Sequence, residues 1–233
     1  VSYLYYADRL NQLPLAVIGI AIGTALLPTM SRNIQAGRLQ EAKENQEKSL
    51  EIGLILTIPA AFGLMILSDS IVIALFQRGA FDTASAAATA IALVCYSAGL
   101  PAFVIIKIFQ PNFFARHDTT TPVKIAAGSV VINLILNLIL MQYFGHAGLA
   151  MATSISAWLS AAIFAIVLKN RNLYSPRRKL LVKITRIILA ASVMGLGLVA
   201  LKEFSGGFAE SSRLLGICVL LLLIFCGGFI YFV

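Results

Sequence analysis

Seven stretches of mostly apolar residues, each about as long as a bilayer is thick, leave this chain one class of fold. They run over about 2–30, 49–76, 86–114, 122–143, 147–168, 180–201 and 213–233 of the 233 residues. A helix rises about 1.5 Å per residue, so roughly 20 residues cross the ~30 Å hydrocarbon core of a bilayer. In lipid every backbone polar group must be satisfied inside the segment, which a helix does and an open strand does not. The sequence therefore predicts an all-α polytopic membrane protein of about seven transmembrane helices. Charged residues make up 12% of the chain, against about 25% in a soluble domain.

The charges that remain are sorted by loop. The formal net charge of +8 invites a nucleic-acid partner, but the basic residues sit in short loops between apolar runs and form no continuous soluble patch, so no nucleic acid is expected. Of the 18 basic residues, 13 fall in 31–48 (Arg32, Arg38, Lys43, Lys48), 115–124 (Arg116, Lys124) and 169–186 (Lys169, Arg171, Arg177, Arg178, Lys179, Lys183, Arg186). The opposite loops hold only Arg78, Lys202 and Arg213. The positive-inside rule makes the first side cytoplasmic. The first span then runs from outside to inside and the last ends inside. The stretch "SRNIQAGRLQEAKENQEKSLE" is charged and free of Pro, with Glu44 and Lys48 as a favourable i,i+4 pair, and reads as a solvated surface helix between two spans.

Cys95, Cys218 and Cys226 all lie in apolar runs and read as buried small hydrophobes. His117 and His146 are in loops without partners at metal-ligand spacing. There is no Walker loop, HExxH or GxSxG, so neither an enzyme nor an ATP-driven pump has a motif to stand on, and no cofactor is expected. The chain starts at Val1 without an initiator Met and ends inside an apolar run, which reads as a piece of a longer protein that does not transport alone.

Ionisable groups inside spans are costly and mark pathways or pairs. Asp8, Arg9 and Lys107 are the three candidates here that lie away from the span ends next to the basic loops. On a helix, Ser2, Tyr5, Arg9 and Gln12 fall on one face. Asp8 and Arg9, one residue apart, point about 100° from each other, so Asp8 is expected to find its partners outside this chain. Arg9 lies roughly 10 Å inward of Ser2, deeper than the tyrosines, which read as an interfacial belt. Arg9 is either a snorkelling residue near the interface or a charge lining a cavity for an anionic substrate. Arginine suits phosphate because its planar fork gives bidentate bonds and stays protonated. Lys107 can snorkel or face the same substrate. Pro14 permits a bend, Gly19 and Gly23 a close helix approach, and Pro101 with Pro111 predicts a broken helix. Asn133 and Asn137 share a face, and Thr153, Ser154 and Ser156 open the fifth span. Their oxygens suit either a hard cation such as Na⁺ or interhelical hydrogen bonds. The last two spans, after the basic loop "KNRNLYSPRRK", read as lipid-facing, with a loop that suits anionic lipid head groups.

Two segments, "YYADRLNQLPLAVIGIAIGTALLPTMSR" and "KIFQPNFFARHDTTTPVKIA", resemble the signatures of the MurJ (MviN) lipid II flippases of the MOP exporter superfamily, and the resemblance covers essentially the whole chain. It implies a fourteen-helix two-lobe transporter in the bacterial cytoplasmic (inner) membrane, of which this chain holds the eighth to the fourteenth helix. Residues 1–169 would be most of the C-terminal lobe, and 170–233 two additional lipid-facing helices. The resemblance implies transport of lipid II from the cytoplasmic to the periplasmic leaflet, with no covalent chemistry. Arg9 would be this lobe's cavity arginine, with Asp8 and Ser2 at matching positions, Gln12 where some members have Glu, and further arginines in the missing N-terminal lobe; Lys107 joins the candidate substrate residues on its place in the span alone. Some family members bind Na⁺, which would fall on Asn133, Asn137 and Thr153; the drive would be Na⁺ or membrane potential. The alternatives are another MOP-type carrier, such as an O-antigen flippase or a drug antiporter, and a non-transporting scaffold of cell-wall synthesis.

Overall fold

Proline and glycine placement decides how the first span is built. The computed structural model describes residues 2–77, 81–174, 178–209, 222–224, 226–228 and 231. Helix α1 covers Ser2–Pro14. Pro14 has no N–H, so the Leu10 carbonyl loses its i+4 donor. The next six residues, Leu15–Ile20, adopt the wider π geometry before α2 resumes over Ala21–Gln35. The irregularity expected at Pro14 is thus a change of helix type. Gly19 and Gly23 do allow the close approach expected of them, and the neighbour is α5 (Thr83–Phe114). A Cβ on Gly19 would stand 3.6 Å from Val104 Cγ2, and one on Gly23 would stand 3.4 Å from the Lys107 carbonyl oxygen. That carbonyl is the one Pro111 deprives of a helical donor.

Three expectations are corrected in the next two spans. Residues 31–48 are not a separate surface helix. The first five finish α2, Gly37 turns the chain at φ +72°, and α3 begins at once as Leu39–Ile66. Ala42, Gln46 and Leu50, four residues apart, are buried, and this stripe carries α3 continuously from the loop into the bundle. The span expected over 49–76 is not one helix either, because it breaks at Leu67 before α4, Ser68–Phe76. Lys202 attends the break: its Nζ donates to the Ile66 carbonyl at 3.3 Å and lies 3.5 Å from Asp69 Oδ2. Finally, α5 runs unbroken through Pro101 and Pro111. Pro111 falls in the last turn. Around Pro101 side chains supply extra donors, Trp158 Nε1 to the Ala98 carbonyl at 2.9 Å and Ser154 Oγ to the Cys95 carbonyl at 2.6 Å.

Helix α6 (Thr120–Phe144), the left-handed corner at Gly145 (φ +55°), α7 (His146–Asn170) and α8 (Arg178–Ala209) complete the described order. Among the described residues six helical stretches are long and apolar enough to cross a membrane. The seventh expected span, 213–233, lies mostly outside the described residues, as do Arg78, Arg177, Arg213 and Cys218; its described parts are helical. Helix α5 is the hub, packing on α1, α2, α3, α4 and α7, while α6 lies on α7 and α8 on α3. The interfaces use small residues: Ala86, Ala90, Ala92 and Ala102 of α5, and Ala150, Ala152, Ala157 and Ala161 of α7, are buried. Between helices in lipid it is close backbone approach, not hydrophobicity, that provides contact energy. The reverse pattern covers α6, where only Pro122 and Ile125 are buried and Val130, Leu134, Leu138 and Met141 face outward.

The loops placed on one side by their charge meet in space. Asp118 accepts from the Thr121 N–H at 2.9 Å and the Thr121 hydroxyl at 2.7 Å, capping α6, and binds Arg171 NH1 at 2.6 Å. Arg171 also donates to Thr121 Oγ1 at 2.9 Å and lies over the Phe113 ring. One carboxylate thereby ties the ends of α5, α6 and α7. The Thr121 hydroxyl first, and Arg171 after it, hold the Asp118 carboxyl well below the usual carboxylate range. A depressed folded pKa means stability that is present above the unfolded value of about 4 and lost as pH falls through the folded one. Asp118→Asn should therefore lower the thermal midpoint at pH 7, and its gap from the parent should begin to narrow below about pH 4 and go on narrowing as the pH falls further. A gap independent of pH would refute the ionic origin of the clasp.

Candidate functional site

The polar stripe of α1 is folded into a short relay. Gln12 stands four residues after Asp8 and three after Arg9, so its amide reaches both. Gln12 Nε2 donates to Asp8 Oδ2 at 2.5 Å, and Arg9 NH1 donates to Gln12 Oε1 at 3.1 Å. The Arg9 guanidinium lies over the Tyr5 ring, 4.9 Å from its centroid. Asp8 is half-buried and Arg9 is exposed. Asp8 and Arg9 make no ion pair among the described residues, as their angular separation predicts. Within this chain Asp8 already has one partner, Gln12. The Nε and NH2 donors of Arg9 carry no hydrogen bond among the described residues, so one edge of the fork is open.

The other stripe residues differ in role. Ser2 is exposed at the head of α1. The tyrosines are not a uniform belt: Tyr6 packs on Phe76 and Phe81, Tyr3 meets the His146 ring edge-on, and only Tyr5 serves Arg9. Lys107 is exposed on α5. It is not brought to Arg9 but lies beside Gly19, its Cγ 3.7 Å from where a Gly19 Cβ would be. That is ten residues, roughly 15 Å, further along the first span than Arg9.

Asn133, Asn137 and Ser156 come together between α6 and α7. Asn137 Nδ2 donates to Asn133 Oδ1 at 3.0 Å, and Asn133 Nδ2 donates to Ser156 Oγ at 3.3 Å. Ser156 Oγ in turn donates to the Thr153 carbonyl at 2.9 Å, and Thr153 Oγ1 donates to the Leu149 carbonyl at 3.0 Å. Asn137 Oδ1 is buried with no donor. Among the described residues no group of three His, Cys, Asp or Glu gathers as a metal site. The hydrogen bonds join α6 to α7 and leave Asn137 Oδ1 as the one acceptor of this group without a donor.

A second buried polar group escaped sequence reasoning. Asn112 Nδ2 donates to Gln46 Oε1 at 2.8 Å, and Arg116 Nε donates to Asn112 Oδ1 at 3.0 Å. Asn112 and Arg116 are four apart in "QPNFFAR", which was the visible signal. Their link to Gln46 spans 66 positions and was not.

Comparison with known proteins now bears on this geometry. A family model described as "Lipid II flippase MurJ" matches residues 1–218. A probable lipid II flippase of Rhizobium meliloti is 40% identical over 226 residues, covering 95% of this chain and 42% of the relative. A lipid II flippase of Burkholderia cenocepacia is 33% identical, over 83% of this chain and 38% of its own. The chain thus spans about two-fifths of the length of the curated relatives it matches. The solved inward closed structure of a lipid II flippase covers all of this chain with 45% of its own, at TM-score 0.83 and 24% identity. A MOP superfamily transporter from Pyrococcus furiosus covers 96% of this chain with 54% of its own, at TM-score 0.60 and 20% identity. At those identities the two structures establish the fold alone.

Proposed function

The chain belongs to the MurJ lipid II flippase family, and from that premise we propose that it works as the C-terminal part of a carrier moving lipid II from the cytoplasmic to the periplasmic leaflet by alternating access. It is a multi-pass protein of the bacterial cytoplasmic membrane. The observation that carries the proposal is the open guanidinium edge of Arg9, set in a span on an exposed polar stripe. In lipid such a charge needs a reason. The diphosphate of a lipid-linked sugar matches its planar fork with two parallel charge-assisted bonds.

The head group enters a cavity between lobes and is held by Arg9 together with cations of the N-terminal lobe. Ser2 and Gln12 offer it neutral hydrogen-bonding groups on the same face, and Lys107 offers a second positive charge deeper along the path. The polyprenyl tail stays in lipid, against the apolar cleft of about 350 Å³ lined by Pro59, Leu64, Met194, Leu198 and Tyr231. The π segment at 15–20 is where the first span flexes as the lobes rock. No bond of the substrate is made or broken. The test is replacement: the full-length protein should restore growth to a strain depleted of its own lipid II flippase, and failure at normal protein level would sink the proposal.

The drive is membrane potential or Na⁺, with Asn133, Asn137 and Thr153 supplying the cation's oxygens in this chain. The free Asn137 oxygen supports this. The thermal midpoint of the full-length protein should be higher in NaCl than in KCl of equal strength, and Asn137→Ala should erase the difference. Equal midpoints for the parent in both salts would remove Na⁺ from the mechanism.

A further inference from the structure

We infer that Lys183 and Lys202 are positioning residues that pin α8 to α3 at the two faces of the membrane and so fix the width of the apolar cleft between them. The inference rests on the reading of that cleft as the place of the polyprenyl tail and concerns what keeps it in shape. Lipid tails are as apolar as leucine, so no hydrophobic force holds an apolar helix against its neighbour in a bilayer. Helix α8 meets this problem, since Leu181, Leu189, Val193 and Leu196 face outward. It packs on α3, and each of its ends is tied by a lysine. Lys183 Nζ donates to Glu51 Oε1 at 2.5 Å. Lys202 Nζ donates to the Ile66 carbonyl at 3.3 Å, at the end of α3, where the last carbonyls of a helix lack donors of their own. The same ammonium lies 3.5 Å from Asp69 Oδ2 in the first turn of α4. The two lysines stand 19 positions apart, roughly 28 Å along the helix and close to the thickness of the hydrocarbon core.

Between the pins the seam is tight on one side and open on the other. A Cβ on Gly195 of α8 would stand 2.9 Å from Ile66 Cδ1, and Ile187 and Ala191 are buried. The cleft opens beside this contact, with Gly63 and Leu64 on the α3 wall, Met194 and Leu198 on the α8 wall, and Gly228 and Tyr231 on a third. A Cβ at Gly63 or at Gly228 would meet nothing within 4 Å, so both glycines widen the cleft and neither serves a helix contact. Any tilt of α8 away from α3 changes that width directly. Lysine suits the task because its ammonium stays hydrated at the interface while its stem lies along apolar surface. Exposed pairs add little to global stability, so losing one loosens the cleft without unfolding the protein.

The test uses purified full-length protein and two probes, undecaprenyl diphosphate and isopentenyl diphosphate, which has the same head and almost no tail. Affinity is read by microscale thermophoresis. Lys183→Met and Lys202→Met should each weaken undecaprenyl diphosphate about fivefold and leave isopentenyl diphosphate within about twofold of the parent. Lys202→Arg keeps a donor at the Ile66 carbonyl and should stay near the parent. Lys183→Glu should act as Lys183→Met does, and its combination with Glu51→Lys, which rebuilds the pair in reverse, should recover parental affinity. Gly63→Leu and Gly228→Leu fill the cleft without a clash and should weaken undecaprenyl diphosphate about tenfold, which checks the place of the tail apart from the pins. Equal weakening of both probes by the lysine variants, or no recovery in the reversed pair, would overturn the inference. Parental affinity for undecaprenyl diphosphate in both methionine variants, with loss in the glycine variants, would overturn the inference alone. Parental affinity in the glycine variants would remove the tail from the cleft and the inference with it.

Discussion

Full-length protein carrying Arg9→Ala should fail to support growth in a strain depleted of its own lipid II flippase, at a protein level equal to the parent's. Arg9→Lys should restore only a small part of the rate. A bidentate arginine–phosphate contact comprises two charge-assisted bonds, each worth about 1.5–3 kcal/mol when one partner is charged. Losing about 3 kcal/mol corresponds to roughly a 100-fold fall in affinity. Lysine keeps the charge but is a point donor on a flexible stem. It can neither lie flat over Tyr5 nor meet Gln12 Oε1 while offering a two-toothed edge, so about a tenfold loss is expected. The loss is not one of folding, since Arg9 is exposed and its removal strands no buried charge. Growth at the normal rate with Arg9→Ala, with the protein level confirmed by immunoblot, would take Arg9 out of the transport path.

Legibility in the sequence followed the range of the interactions involved. The spans were legible because apolar length is a local property, and each of the six expected over the described residues contains a helix long and apolar enough to cross a membrane, although 49–76 ends in the short α4. The sorting of loops was legible because basic residues accumulate on one side: Asp118 meets Arg171, and Glu51 meets Lys183. The break at Leu67 was not, because "FGLMILSDSIVIALF" shows neither Pro nor a charge cluster, and the groups that tolerate the break belong to Lys202, far along the chain. The two prolines of α5 misled for the same reason. Local chemistry says a helix should break at Pro101, but the packed α7 lies along α5 there, and Trp158 and Ser154 bond the Ala98 and Cys95 carbonyls on either side of the Ser97 carbonyl that Pro101 leaves without a donor. At the site, the stripe of Ser2, Tyr5, Arg9 and Gln12 follows from helical spacing alone. At Asp8 the i,i+1 relation separates its carboxylate from Arg9, and the i,i+4 relation gives it Gln12 as a partner within the chain.

Gly99→Leu should cause the largest loss of stability of any single change on the α5–α7 interface. A Cβ at this position would stand 2.6 Å from Ser154 Oγ, 2.9 Å from Ser154 Cα and 3.0 Å from Ser154 Cβ. A hydroxyl can rotate aside, but a backbone atom of a packed helix cannot, so the two helices must part. Parting them loosens the Ser154 bond to the Cys95 carbonyl and the Trp158 bond to the Ala98 carbonyl. It also opens the alanine contacts that small residues make possible in lipid. Overpacking alone costs about 1–3 kcal/mol, and each weakened hydrogen bond adds about 1 kcal/mol. A thermal midpoint lower by several °C follows, since a loss of about 3–5 kcal/mol is spread over the larger unfolding entropy of the full-length protein. Gly63→Ala and Gly128→Ala are the matched controls, since nothing stands within 4 Å of a Cβ at either position. Both should hold or raise the midpoint, because alanine is favoured over glycine in a helix by about 1 kcal/mol. The full-length protein in detergent, heated and passed over a sizing column, gives the midpoints. A Gly99→Leu variant that survives heating as well as the Gly128→Ala control would mean that α5 and α7 do not meet at Ser154. The hub position of α5, and with it the shared frame that holds α1 and its arginine in place, would then need another interface.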